Sequence, residues 1–378
     1  MGILQALSEI VNASVWVAAS WGFAASFVLC VLLVLSKSWH GALTMDSAVG
    51  VQKFHKSPTP RVGGIPIVLG AIVAWTKSPL DVQELLIPLW FAGMPAFLFG
   101  LAEDITKRVS VTQRLLATMA SGVLAWWLTD YCLSRVDLVG IDWLLKFKFV
   151  AVLFTAFAVG GVANSINIID GFNGLASTMS ALAFIGVGLI AWQVGDRSLA
   201  SVSLILGACV WGFFWVNWPF GKIFLGDGGS YFVGFSLAWV AVMLVERNPN
   251  VTAFAALLIC VHPITEVLFS IFRRRIKKIN AGHPDRLHFH SLVQQRYVRR
   301  WFSDMNSTTR NSITGALIGL MTLSAIIVAN LVHGSFWKCL LGFVAFALAY
   351  VAVYARMVCF RWRSPLGFLL KKPQLSVR

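Results

Sequence analysis

Long apolar runs separated by short polar connections set the rhythm of this chain. Stretches of the length a helix needs to cross about 30 Å of hydrocarbon fall at 13–36, 62–76, 85–102, 112–129, 149–169, 174–194, 198–216, 229–245, 251–272, 312–333 and 336–355. The pattern predicts an all-α polytopic integral membrane protein of about eleven transmembrane helices. The second stretch is short and contains Pro66, and the third contains Pro88 and Pro95. Both are expected to kink or to re-enter in part, and ten spans is the alternative count. The first run has no basic region before it, so it reads as a retained span rather than a cleaved leader. No repeat or low-complexity tract divides the chain, and 1–378 is read as a single transmembrane domain.

Composition agrees with the pattern: 58% of residues are hydrophobic and 12% charged, well away from soluble domains. The six cysteines are scattered, which signals neither a disulfide framework nor a thiolate metal site. The formal charge of +15 invites a nucleic-acid reading. Sorting the basic residues by connection removes it, because alternate connections hold 24 of the 31 Lys and Arg residues. Such an excess marks the cytoplasmic side and attracts anionic lipid. The N-terminus is therefore expected in the periplasm, the C-terminus in the cytoplasm, the span count odd, the partner surface a lipid bilayer, and no nucleic acid bound.

Five connections hold unusual polar chemistry, and all five fall on the predicted cytoplasmic side: "KFHKSPTPRVGG" (53–64), "LAEDITKRVS" (101–110), "NSINIIDGFNGLA" (164–176), "IFLGDGGS" (223–230) and "NAGHPDRLHFHSL" (280–292). In the third, Asn164, Asn167, Asp170 and Asn173 recur every three positions. That spacing would carry the first three on one slowly rotating helix face. A polar seam between helices is the plainer reading, yet so many polar groups at a membrane edge are costly as glue alone. Glu103 and Asp104 can hold a divalent cation or relay a proton, with Lys107 one turn on as a phosphate contact; a solvated helix end is the alternative. Asp227 among Gly226, Gly228 and Gly229 has the form of a hard-cation site, with bare backbone letting a bulky anion approach. His288 and His290, two apart, suggest an extended or irregular segment, and with Arg286 they suit a pyrophosphate better than zinc. Together these patches point to phosphoryl-group chemistry on a lipid substrate.

On "PTPRVGG", "EDITK", "NSINIIDGFNGLA", "FLGDGGS" and "DRLHFH", five motifs in order over about 53–292, the chain resembles the polyprenyl-phosphate N-acetylhexosamine-1-phosphate transferases, glycosyltransferase family 4. The resemblance implies transfer of a sugar 1-phosphate from a UDP-sugar to undecaprenyl phosphate in the bacterial inner membrane, with release of UMP. It further implies Mg²⁺, or Mn²⁺ in its place, on Asp227 with Asn167 as partner. Glu103, Asp104, Asp170 and Asp227 are carried over as catalytic residues. Lys107, Asn164, Asn173, Phe224, Arg286, His288, His290, His55 and Arg61 are carried over as substrate-binding residues, with Phe224 stacked on uracil and Asn173 paired with it. Glu103 stands where the family usually has Asp, Asn173 where most bacterial members have Asp, and Ser291 where many have a further His. The last points to the branch that starts O-antigen and other lipopolysaccharide glycans rather than to the peptidoglycan-precursor type. A transporter of lipid- or nucleotide-linked sugars is the rival from another class, and a homodimer is compatible with the sequence. Single displacement and a covalent phospho-aspartate route read alike in the sequence.

Overall fold

The computed structural model describes residues 13–46, 58–278 and 287–360. His55, Arg286 and their neighbours Lys53 and Lys56 lie outside the described residues. Ala13–Leu35 (α1) leads into Lys37–Thr44 (α2), and Met45–Asp46 pairs antiparallel with Thr59–Pro60, a short bridge beside the site. Gly64–Lys77 (α3), Leu80–Thr106 (α4) and Val111–Thr129 (α5) follow, then the short Val139–Leu145 (α6) and Lys148–Ile169 (α7). Leu175–Gln193 (α8), Arg197–Asn217 (α9) and Gly226–Arg247 (α10) complete the centre. Ala253–Ile259 (α11), Val261–Lys277 (α12), Phe289–Val293 (α13), Arg299–Trp301 (α14), Ser307–Val332 (α15) and Phe336–Cys359 (α16) close the chain.

Each of the eleven apolar stretches lies on a helix or, for 251–272, on a bent pair. Eight described helices are long and apolar enough to cross a membrane, and the bent pair α11–α12 makes a ninth. α3, at 14 residues, is about 21 Å long and falls short of a full hydrocarbon layer. α5 has 19 residues but carries Gln113, Arg114 and several threonines, which dilute its apolar content. The prolines break neither helix. α4 runs unbroken through Pro88 and Pro95, and Pro66 sits in the first turn of α3, where proline is tolerated. The break comes instead at Cys260, where α11 and α12 meet at 80°. Pro263 cannot donate to the carbonyl of Ile259, and its ring crowds that turn.

α10 is the central helix, buried along almost its whole length. α4 and α7 flank it, α5 packs between those two, and α1, α3, α8 and α9 form the adjoining layer. Small residues allow this closeness, as in membrane bundles generally. A Cβ on Gly234 would stand 2.7 Å from the Cα of Ala163, and one on Gly212 2.4 Å from the carbonyl of Phe23. Large apolar side chains such as Phe149, Leu331 and Trp337 point outward on the peripheral helices, where lipid solvates them. The molecule is an all-α, multi-pass membrane protein.

Candidate active site

The site forms where the first turn of α10 meets the last turn of α4, the first turn of α5 and the last turn of α7. Asp227, the second residue of α10, is 2% exposed. Its Oδ1 accepts from the guanidinium of Arg61 and, at 3.1 Å, from the amide of Asn167; its Oδ2 accepts from the guanidinium of Arg114. Asn167 also donates to the hydroxyl of Ser230 at 2.8 Å, while its own carbonyl accepts from the Tyr231 hydroxyl at 3.3 Å. A carboxylate this deeply buried is tolerable only with such partners, because an uncompensated buried charge costs several kcal/mol.

Asp104 lies behind Asp227 rather than beside it. Its two oxygens accept from the backbone N–H groups of Asp227 at 3.0 Å and Gly228 at 2.9 Å, and Arg61 Nε reaches Oδ1 at 3.1 Å. Asp104 thus caps the N-terminus of α10 from a different helix, where a negative charge is favoured. Glu103 Oε2 accepts from the N–H of Val109 at 2.8 Å across the α4–α5 turn, with its charge near Arg114. Lys107 closes α4 in a left-handed conformation with φ 57°. The two adjacent acids therefore belong to different places.

The glycines around Asp227 face protein. A Cβ on Gly226, whose φ is +76°, would stand 2.4 Å from the carbonyl of Arg61 and 2.6 Å from Asp104 Oδ2. One on Gly228 would meet the backbone of Leu101 at 2.9 Å, and one on Gly229 the Cα of Gly64 at 2.8 Å. The expectation that bare backbone here admits a ligand is replaced by a packing reason: α3, α4 and α10 touch backbone to backbone. Phe224 lies half-buried in the preceding turn, its N–H bonded to Pro60 and its carbonyl to the N–H of Gly63.

The repeat of polar residues on α7 splits. Asn167 reaches the site, whereas Asn164 donates to Thr118 on α5 at 3.1 Å and to the carbonyl of Gly160. Asp170 sits just beyond α7, and burial pushes its carboxyl up to about 7; Asp227 and Asp104 add to that rise, against the pull of Arg61 and the Gly226 N–H. Asn173 is buried, its N–H bonded to Asn311 at 2.7 Å and its amide to Ser312 at 3.1 Å on α15. His288 has extended backbone and starts α13, while His290 lies within that helix; the rings stack 5.3 Å apart. His290 stands against the Asp170–Phe172 turn, with Nε2 3.1 Å from where a Cβ on Gly171 would be.

Two ionisable residues lie outside the sequence motifs: Arg114 opens the apolar helix α5, and Glu266 lies within the apolar run 251–272. An ionisable residue within a span is itself a signal of function.

Asp227 supplies a hard carboxylate, and Asn167 faces it through its amide nitrogen with its oxygen on the Tyr231 hydroxyl. Among the described residues no three His, Cys, Asp or Glu side chains gather closely enough to hold a metal by themselves. That donor set fits Mg²⁺, which takes one or two protein oxygens and fills its shell with water and phosphate.

A family model described as Glycosyl transferase family 4 matches residues 86–245, which contain Asp104, Arg114, Asn167 and Asp227. Over 300 residues the chain is 26% identical to an undecaprenyl-phosphate alpha-N-acetylglucosaminyl 1-phosphate transferase of Salmonella typhi, covering 78% of each chain. It is 26% identical over 249 residues to the enzyme of the same description from Escherichia coli strain K12, covering 65% of this chain and 67% of that one. A probable undecaprenyl-phosphate N-acetylglucosaminyl 1-phosphate transferase of Bacillus subtilis is 26% identical over 245 residues, 63% of this chain and 66% of its own. By these similarities and its ordered motifs, the chain is similar to the polyprenyl-phosphate N-acetylhexosamine-1-phosphate transferases.

Proposed function

We propose that this protein transfers N-acetylhexosamine 1-phosphate from a UDP-sugar to undecaprenyl phosphate at the cytoplasmic face of the bacterial inner membrane, releasing UMP and starting a surface glycan of the O-antigen kind. The observation that supports this most is the setting of Asp227, a buried carboxylate at a helix start, gripped by Arg61 and Arg114 and by the amide of Asn167. Arginines on a carboxylate are poised to exchange it for phosphate oxygens, which they bind in the same forked geometry. Arg61 keeps 30% of its side chain exposed and so has room to turn.

In this reading Asp227 and Asn167 would hold Mg²⁺, or Mn²⁺ in its place. When bound, the ion withdraws charge from the diphosphate and stabilises the departing UMP. Arg61 and Arg114 then transfer contacts from Asp227 to the phosphates, which keeps the buried charges balanced. An oxygen of the lipid phosphate bonds to the sugar-bearing phosphorus as the bond to the UMP oxygen breaks. A phosphate monoester is already largely ionised near neutral pH, so no strong base is required. Asp104 orients the start of α10, and Asp170 accepts from the N–H of Gly226 beside it. A transporter is less well supported, since such proteins place substrate groups near the midplane between related halves, whereas these side chains gather at one end of the helices.

The test is UMP release from purified protein with Mg²⁺, undecaprenyl phosphate and a panel of UDP-N-acetylhexosamines. At least one donor is expected to yield UMP, and the Asp227→Asn variant to lose about 10²- to 10³-fold of that rate while still inserting. No donor giving UMP above a heat-inactivated control overturns the reading.

A further inference from the structure

Glu266, in the middle of α12, is a carboxylate that the chemistry above does not use. It is 2% exposed. Its oxygens accept from His288 Nδ1 at 2.9 Å, from the N–H of Phe289 at 3.2 and 3.3 Å, and from the Tyr350 hydroxyl at 2.8 Å. A carboxylate facing donors from three residues is the ionised, acceptor-only form. The nitrogen of His288 that meets it therefore carries a proton. The other nitrogen, Nε2, makes no hydrogen bond to any described residue, and the His288 side chain keeps 11% of its surface exposed. Aromatic rings wall the pair in: Tyr350 stacks on Phe289 at 4.7 Å, and His262, one turn before Glu266, meets both rings edge-on at 5.9 Å. On its open side His288 stacks on His290, which abuts the Asp170–Phe172 turn. The dyad thus stands directly behind one edge of the site.

We propose that Glu266 is a positioning residue that locks His288 in the Nδ1–H tautomer, so that Nε2 is presented as a hydrogen-bond acceptor to a hydroxyl or amide N–H of the donor sugar. This rests on the sugar-1-phosphate transfer reading for the identity of the ligand, though not for the tautomer. Tyr350 is the brace that fixes the carboxylate. A rotated or inverted imidazole would present a donor where the sugar also presents donors, and hydrogen bonds of that kind are lost outright rather than weakened.

Glu266→Gln tests this, because it preserves size while its amide can donate to Nδ1 and so drive His288 to the Nε2–H form. The expected result is a fall of about 10- to 100-fold in kcat/KM for the UDP-sugar, with KM for undecaprenyl phosphate unchanged. ¹⁵N spectra of histidine-labelled protein, with His288→Gln used for assignment, are expected to show Nδ1–H in the wild type and Nε2–H in the variant. Tyr350→Phe should keep the tautomer and raise the donor KM by a smaller factor. An Nε2–H signal for His288 in the wild type overturns the proposal without any variant, as does a Glu266→Gln protein whose donor and acceptor constants change together. If the wild type releases no UMP, it is the transferase reading that falls, and the spectra still decide whether Glu266 holds the ring.

Discussion

At the scale of single residues, the adjacent acids show what a linear reading can miss. Neighbouring positions on a helix point about 100° apart, so Glu103 serves the α4–α5 turn while Asp104 reaches the amides of α10. The motif was legible; the division of labour depended on which helix lies beyond each side chain. Asp170 carries a prediction of its own. Its carboxyl is raised to about 7 by burial, then by Asp227 and Asp104, whereas in an unfolded chain it would titrate near 3.9. The folded protein therefore holds this proton more tightly than the unfolded one. Its contribution favours folding at low pH and is lost as pH rises from about 4 through 7. The melting temperature of the wild type relative to Asp170→Asn is expected to fall between pH 5 and pH 8; a difference that does not vary with pH would refute the assignment.

At the scale of elements, apolar run length gave good helix positions because it depends only on local composition. The break at Cys260 has no signature in run length, because "VHPITE" interrupts no hydrophobic run, whereas α4 continues through two prolines. The glycine-rich start of α10 was recognised, but its role came from packing that only the assembled bundle reveals. Gly226→Ala is expected to cost about 1 kcal/mol from the left-handed backbone alone, with further strain from the carbonyl of Arg61 and the carboxylate of Asp104. UMP release should drop at least about tenfold as α10 shifts. Gly161→Ala, where a Cβ meets nothing within 4 Å, is the matched control and should behave as wild type. Equal behaviour of the two variants would show that the close approach at Gly226 does not matter.

At the scale of the whole molecule, the site draws on Arg61, Asp104, Arg114, Asn167 and Asp227, residues far apart in sequence and joined at one end of the bundle. Each lay in or beside a motif or charge cluster visible in the sequence, but their pairing is long-range and no local pattern encodes it. The same end carries the basic connections, so a reporter fused after Arg378 is expected to read as cytoplasmic; a periplasmic signal would invert the proposed orientation. The cap that Asp104 places on α10 has a consequence for how the protein is made. The helices bearing Asp104, Arg114 and Asn167 are synthesised before α10; until its first turn arrives, Asp104 has Arg61 as its ion-pair partner and Arg114 lacks the Asp227 carboxylate. A chain in which that insertion fails leaves Arg114 without its carboxylate and Asp104 without the two backbone N–H groups it caps. The wiring of the candidate site is therefore complete only once α10 is in place.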